Sequence, residues 1–126
     1  MSVLAKNTYL GKLELVEVFE YYDKPILFAC RSASGQLYLV VQENDYDEYE
    51  TWLYCSLSNT RFQQIRSGGI DLYNAFKLAE DDFVFLVKLF YNADIDSEIT
   101  PIPVAQLEEN QLPKPNVFIN VVTETL

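Results

Sequence analysis

Three segments of strand-forming residues follow one another within the first 42 positions, with too few residues between them for anything but tight turns. From Leu10 to Tyr22, charged and apolar residues interleave. Helical spacing would place Glu14, Glu17 and Glu20 among Leu10, Leu13 and Val16, so a strand fits better, and a phase slip near Val16 predicts a bulge. Tyr22-Asp23-Lys24-Pro25 supplies a turn into a second strand over 26–31. Ser32-Ala33-Ser34-Gly35 is a tight loop, with Gly where positive φ is cheap, and 36–42 is a third strand. The order reads as an antiparallel meander. Glu43 to Glu50 predicts a long acidic hairpin loop, and Thr51 to Leu57 a fourth strand rich in residues suited to a half-buried pleated surface.

Two short helices follow. Thr60 and Gln63 have capping-box spacing, Phe62 and Ile65 share a face, and Gly68-Gly69 ends the helix. Asp71 caps a second helix, whose Leu72, Ala75 and Phe76 lie on one side. Neither is long enough to stand alone, so both must pack on the sheet. Phe83 to Phe90 is an apolar run of strand length, the fifth strand. Beyond it, Pro101, Pro103, Pro113 and Pro115 interrupt Asp94 to Asn116, which predicts an irregular strap, and Val117 to Thr123 returns to strand character. The expectation is an α+β domain: a mainly antiparallel sheet of about five strands with two short helices on one face. Residues 1–92 form one compact unit, and 93–126 are a proline-containing strap and a C-terminal strand that packs on the domain or on a partner.

At 126 residues the chain is long enough for one core and too short for two. Its net charge of -10 repels phosphate backbones and anionic membrane surfaces, so direct nucleic-acid and membrane binding are not expected. The start, from Met1 to Thr8, lacks the basic and apolar regions of a secretory signal, and the apolar run from Phe83 to Val87 is far short of a membrane span. A cytoplasmic protein is expected. Cys30 and Cys55 fall inside predicted strands and read as small buried hydrophobes held reduced.

The runs Tyr9-Leu10-Gly11-Lys12-Leu13-Glu14-Leu15, Gly35-Gln36-Leu37-Tyr38-Leu39 and Thr51-Trp52-Leu53-Tyr54 recur in a known pattern with the Tyr21-Tyr22-Asp23-Lys24-Pro25 turn. The most specific piece is Ser67-Gly68-Gly69-Ile70-Asp71-Leu72-Tyr73-Asn74-Ala75-Phe76. Together they resemble a family of prokaryotic domains of unknown function, over roughly the first 90 residues. The resemblance implies a small intracellular module and assigns no catalytic residue.

Chemistry is narrowed first by an absence: the chain has no histidine. His-based hydrolytic triads, zinc sites and iron sites are closed to it. Asp45 and Asp47 begin like a calcium loop, but Tyr49 and Glu50 stand where an oxygen ligand and a glycine belong, and after Asp94, Asp96 and Glu98 the glycine position holds Ile99. Gly68-Gly69 lacks the preceding strand and following lysine of a phosphate cradle. Arg61 and Arg66 are expected to pair with nearby carboxylates. No catalytic residue, metal ligand or cofactor site is assigned.

What remains is surface. Nine tyrosines exceed the needs of a small core, and Tyr46 and Tyr49 among Asp45 and Asp47 suit a basic or Arg-rich partner. Trp52 and Tyr54 point to one face of their strand while Leu53 and Cys55 point to the other, so one face is core and the second offers a contact surface. The candidate partner-binding residues are Asp45, Tyr46, Asp47, Tyr49 and Trp52, with Val117, Phe118 and Ile119 of the tail. They describe a non-catalytic protein-interaction module, with a homodimer through the C-terminal strand as one form of it. Two other classes stay open. A carboxylate-based enzyme or small-molecule binder requires a pocket holding two carboxylates, and an acidic mimic of nucleic acid requires a convex row of them.

Overall fold

A computed structural model of the chain describes residues 4–5, 9–119 and 121. Six strands form one sheet in the order of the sequence: β1 (Leu13–Tyr21), β2 (Pro25–Ser32), β3 (Leu37–Asp45), β4 (Tyr49–Leu57), β5 (Phe83–Phe90) and β6 (Glu98–Pro103). Every neighbouring pair is antiparallel. Two helices, α1 (Asn59–Arg66) and α2 (Leu72–Lys77), interrupt the meander between β4 and β5.

The sheet has six strands rather than about five, because β6 forms inside the segment expected to be irregular. Prolines argue against a central strand, but β6 is an edge: among the described residues it pairs only with β5, with Pro101 opposite Phe85 and Pro103 opposite Phe83. A residue without an N–H is tolerated where no further strand needs the bond. The hairpin between β3 and β4 is also shorter than expected. β3 runs on through Asp45 and β4 begins at Tyr49, so most of the stretch expected to be an acidic loop is paired strand. A bulge at Glu43 helps it there, and the Thr51 hydroxyl donates to Glu43 Oε1 at 3.0 Å. The bulge expected near Val16 is present, since pairing steps from Leu15 opposite Cys30 to Glu17 opposite Ala29.

Both helices pack on one face. Phe62 and Ile65 of α1 and Leu72, Ala75 and Phe76 of α2 join Leu27, Leu39, Leu53 and Cys55 in a single core. α1 starts two residues earlier than the Thr60 spacing suggested: Ser58 is its cap, accepting from Arg61 N at 3.1 Å, and the Glu80 carboxylate holds Ser58 in turn. Asp71 caps α2 as expected, accepting from Asn74 N. Its second oxygen accepts from Asn116 N at 2.8 Å, which fastens the C-terminal segment to the helix start. Those hydrogen bonds, that from Asn116 first, hold the Asp71 carboxyl below its usual range.

That segment crosses the helices. The Val117 carbonyl accepts from Leu72 N at 2.8 Å, Ile119 enters the core, and Val121 N donates to the Arg66 carbonyl at 2.9 Å. Gly68 is required beneath it: its φ is +76°, and a Cβ there would sit 3.3 Å from the Ile119 carbonyl oxygen. Residues 117–119 are not in a strand. The remainder of the expected C-terminal strand, 120 and 122–123, and most of the N-terminal stretch read for a secretory signal lie outside the described residues.

The opposite face of the sheet is core as well. Phe28, Trp52, Tyr54 and Val87 are fully buried there, with Leu4, Ala5, Leu10 and Leu13 packed among them. Ala5 N donates to the Tyr54 hydroxyl at 3.1 Å, inside the packing. The expectation that one face of β4 offers a contact surface is therefore corrected: the N-terminal residues cover it. Among the described residues no helix is long and apolar enough to cross a membrane.

Candidate functional site

Antiparallel alternation brings three chain reversals to one end of the sheet. They are the turn after Tyr21, the hairpin tip at 46–48 and the exit from β5 at Tyr91. Each reversal carries tyrosine. Tyr21, Tyr22, Tyr46 and Tyr91 are 69, 76, 45 and 41% exposed, and Tyr49 is half-buried beside them, so five of the chain's nine tyrosines gather at this end. Exposed Asp23, Asp45, Asp47 and Glu48 lie among them.

The tip is held by its own rings. Tyr46 stacks on Tyr49 at 4.9 Å between centroids, and Tyr49 meets Phe90 at 5.7 Å. Tyr46 N donates to the Tyr49 carbonyl at 2.8 Å and closes the hairpin. Lys88 Nζ lies 4.6 Å from the centre of the Tyr49 ring, so this cluster already engages a cation.

Behind the tip lies a buried carboxylate. Glu50 is two residues before Trp52 in β4, so period-two alternation points both side chains to the same face. It is 1% exposed. Its Oε1 accepts from the Trp52 indole N–H at 3.0 Å, and its Oε2 accepts from Gln42 Nε2 at 3.2 Å, the Tyr91 hydroxyl at 3.2 Å and the Lys24 ammonium. The Tyr91 hydroxyl has one proton, which it shares between Glu50 Oε2 and Asp45 Oδ1. Lys24 reaches in from the β1–β2 turn, where Asp23 adopts a left-handed φ of 61°, and its Nζ stands 6.0 Å from the centroids of both Trp52 and Tyr91. Desolvation, with the Asp45 and Glu50 carboxylates beside it, pushes the Tyr91 phenol up, so it stays protonated and donating.

Three of these contacts fall on Oε2 and one on Oε1, so both carboxylate oxygens are engaged inside the protein. Glu50 therefore serves as the buried hub of a network joining the β1–β2 turn, β3, β4 and the exit of β5. Among the described residues no group of three or more acidic or thiol side chains is placed to hold a metal ion.

The expected site residues divide. Asp45, Tyr46, Asp47 and Tyr49 lie together at the tyrosine end. Trp52 leaves the set: it is fully buried, and no partner reaches its ring. Val117 and Phe118 are exposed on the helix-bearing side while Ile119 is core. The residues missed by the sequence reading are Tyr21, Tyr22, Asp23, Lys24, Glu50 and Tyr91. Two signals pointed to them: Glu50 falls on the Trp52 side of a strand, and the tight turns of a meander alternate ends, so every second turn shares one end.

Beside β1, a groove of about 350 Å³ runs against the C-terminal segment, with Glu17 and Glu20 on one wall and Phe19, Leu27, Leu72 and Phe118 among its apolar residues. Glu17 is already engaged, since Arg66 Nε donates to its Oε1 at 2.8 Å. Arg61 instead donates to the Leu78 carbonyl at 3.2 Å. Both cysteines are free and buried, on opposite faces of the sheet.

No curated protein and no solved structure matches the chain. The model of a family of unknown function, DUF6575, matches residues 1–125, extending through the strap and tail past the roughly 90 residues that carried the resemblance. The chain therefore belongs to the DUF6575 family.

Proposed function

We propose that this protein is a non-catalytic interaction module of the prokaryotic cytoplasm, whose tyrosine-rich acidic end receives a basic surface of another protein. The observation that carries the proposal is the convergence of Tyr21, Tyr22, Tyr46 and Tyr91, all exposed, with four exposed aspartates and glutamates at the end of the sheet where three reversals meet. Tyrosine supplies contact area at low entropic cost, and ring faces with carboxylates favour guanidinium and ammonium groups. Lys88 over Tyr49 displays that chemistry within the chain itself. Two buried free thiols fit a reducing compartment.

The test is an array of peptides graded in lysine and arginine content, probed with the wild type and with a Tyr22→Ala/Tyr46→Ala/Asp47→Asn variant. Retention should rise with positive charge, fall with salt and drop in the variant while it stays folded. Equal retention by both proteins would overturn the proposal. Light scattering at twice the 14.6 kDa chain mass, reverting on deletion of 116–126, would assign the partner as a second copy held through Val117 and Phe118.

The groove beside β1 favours one second function, the binding of a small apolar cation against Glu20 and the apolar wall. Alkylammonium compounds that shift the Phe19 and Leu72 resonances, in wild type but not in Glu20→Gln, would support it.

A further inference from the structure

We propose that β1 is a docking edge onto which an extended, lysine- or arginine-bearing segment of another protein adds as a seventh strand. The two edges of the sheet are built differently. β6 has six residues, two of them prolines that cannot donate to a further strand. β1 has nine residues and no proline. Its surface is apolar to an unusual degree for an edge, with Leu15, Val16 and Val18 exposed by 46, 38 and 41%.

Charge decides the occupant. Glu14 and Glu20 are exposed on β1 and make no ion pair among the described residues, whereas Glu17 is taken by Arg66. A second copy would set these glutamates against each other across an antiparallel pair, between chains that each carry a net charge of -10. A basic strand places opposite charges there instead and covers Leu15 and Val18 with its own apolar side chains. Three register shifts, after Leu15, after Val18 and after Glu20, bend the edge and limit regular pairing to short stretches such as 13–15. They discourage flat, continuous strand stacking without closing the edge to a short segment.

The surface is separate from the hairpin tip, and the experiment keeps the two apart. A labelled nine-residue peptide alternating lysine with valine and threonine is titrated into the full chain by anisotropy and by amide NMR. A counterpart with glutamate for lysine is the control. The lysine peptide should bind about tenfold more tightly than the glutamate peptide, perturb the amides of 13–21, and weaken as salt rises. Glu14→Lys/Glu20→Lys, at two exposed positions, should reverse the preference. In the Tyr22→Ala/Tyr46→Ala/Asp47→Asn variant the lysine peptide should still perturb the amides of 13–21, whatever binding the tyrosine end loses. Absence of binding, shifts confined to the tyrosine end, or an unreversed preference in the lysine variant would each overturn the proposal. A wild-type dimer whose interface maps to β1 would overturn it too.

Discussion

Two neighbouring groups of acids and aromatic rings occupy the same end of this sheet and behave as opposites. Glu50, Trp52, Lys24 and Tyr91 form a network in which both oxygens of the buried carboxylate are engaged. One turn away, Asp47, Glu48, Tyr22 and Tyr46 offer the same chemical types to solvent. Composition does not separate them. Position in the pleat does: an acid at an inward position of β4 becomes a structural hub, and an acid at the tip remains available. Asp45 links the two, lying exposed while it accepts from the Tyr91 hydroxyl.

If the division is right, substitutions on either side of it should fall on different scales. Glu50→Ala leaves Trp52, Gln42 and Lys24 without their acceptor and should cost about 3 kcal/mol in urea unfolding, while Glu48→Ala should stay within about 0.5 kcal/mol. An equal cost at both positions would erase the contrast. Lys24→Met combined with Glu50→Gln should cost less than the sum of the two single changes, by about 1–2 kcal/mol, because no charge is then left buried alone.

Tyr91→Phe removes the hydroxyl that joins Asp45 to Glu50 and should cost about 1 kcal/mol at neutral pH. It should also flatten the alkaline limb of the stability curve. The phenol is raised in the folded state, so its contribution is complete below the ordinary value of 10 and is lost as pH climbs through the folded value. Tyr38 and Tyr54, raised chiefly by burial, continue to titrate on that limb, so the variant should be shallower there than the wild type and not flat. Tyr46→Ala, which loses the contact with Tyr49, should cost about 0.5–1.5 kcal/mol, and the smallest effect belongs to Asp47→Asn, within about 0.5 kcal/mol of wild type by melting, yet both should reduce capture of basic peptides.

Much of the fold was legible because local signals agreed with the tertiary outcome: the slip at Val16, the Asp71 cap, the apolar run of β5 and the shared faces of both helices. β6 was not, since Pro101 and Pro103 read as breakers until an edge position makes a missing donor harmless. The ends of β3 and β4 were hidden by their charges. Glu43, Asp45 and Glu50 have poor strand propensity, and pairing with neighbours overrides it. The site was half legible: Asp45 to Tyr49 stood out as a run, while Lys24 and Tyr91 join Glu50 from 26 and 41 positions away and become neighbours only through the meander.

The two cysteines give this molecule a means of timing its own opening. Cys30 lies under the N-terminal residues and Cys55 under α2, where its thiol donates to the Ala75 carbonyl at 3.5 Å. Burial pushes each thiol up to about 12, so neither reacts while its cover is in place. In single-thiol variants the labelling rate then becomes a clock for one layer alone: equal rates mean that both covers lift in one cooperative event, and a faster Cys55 means that the helices leave the sheet first.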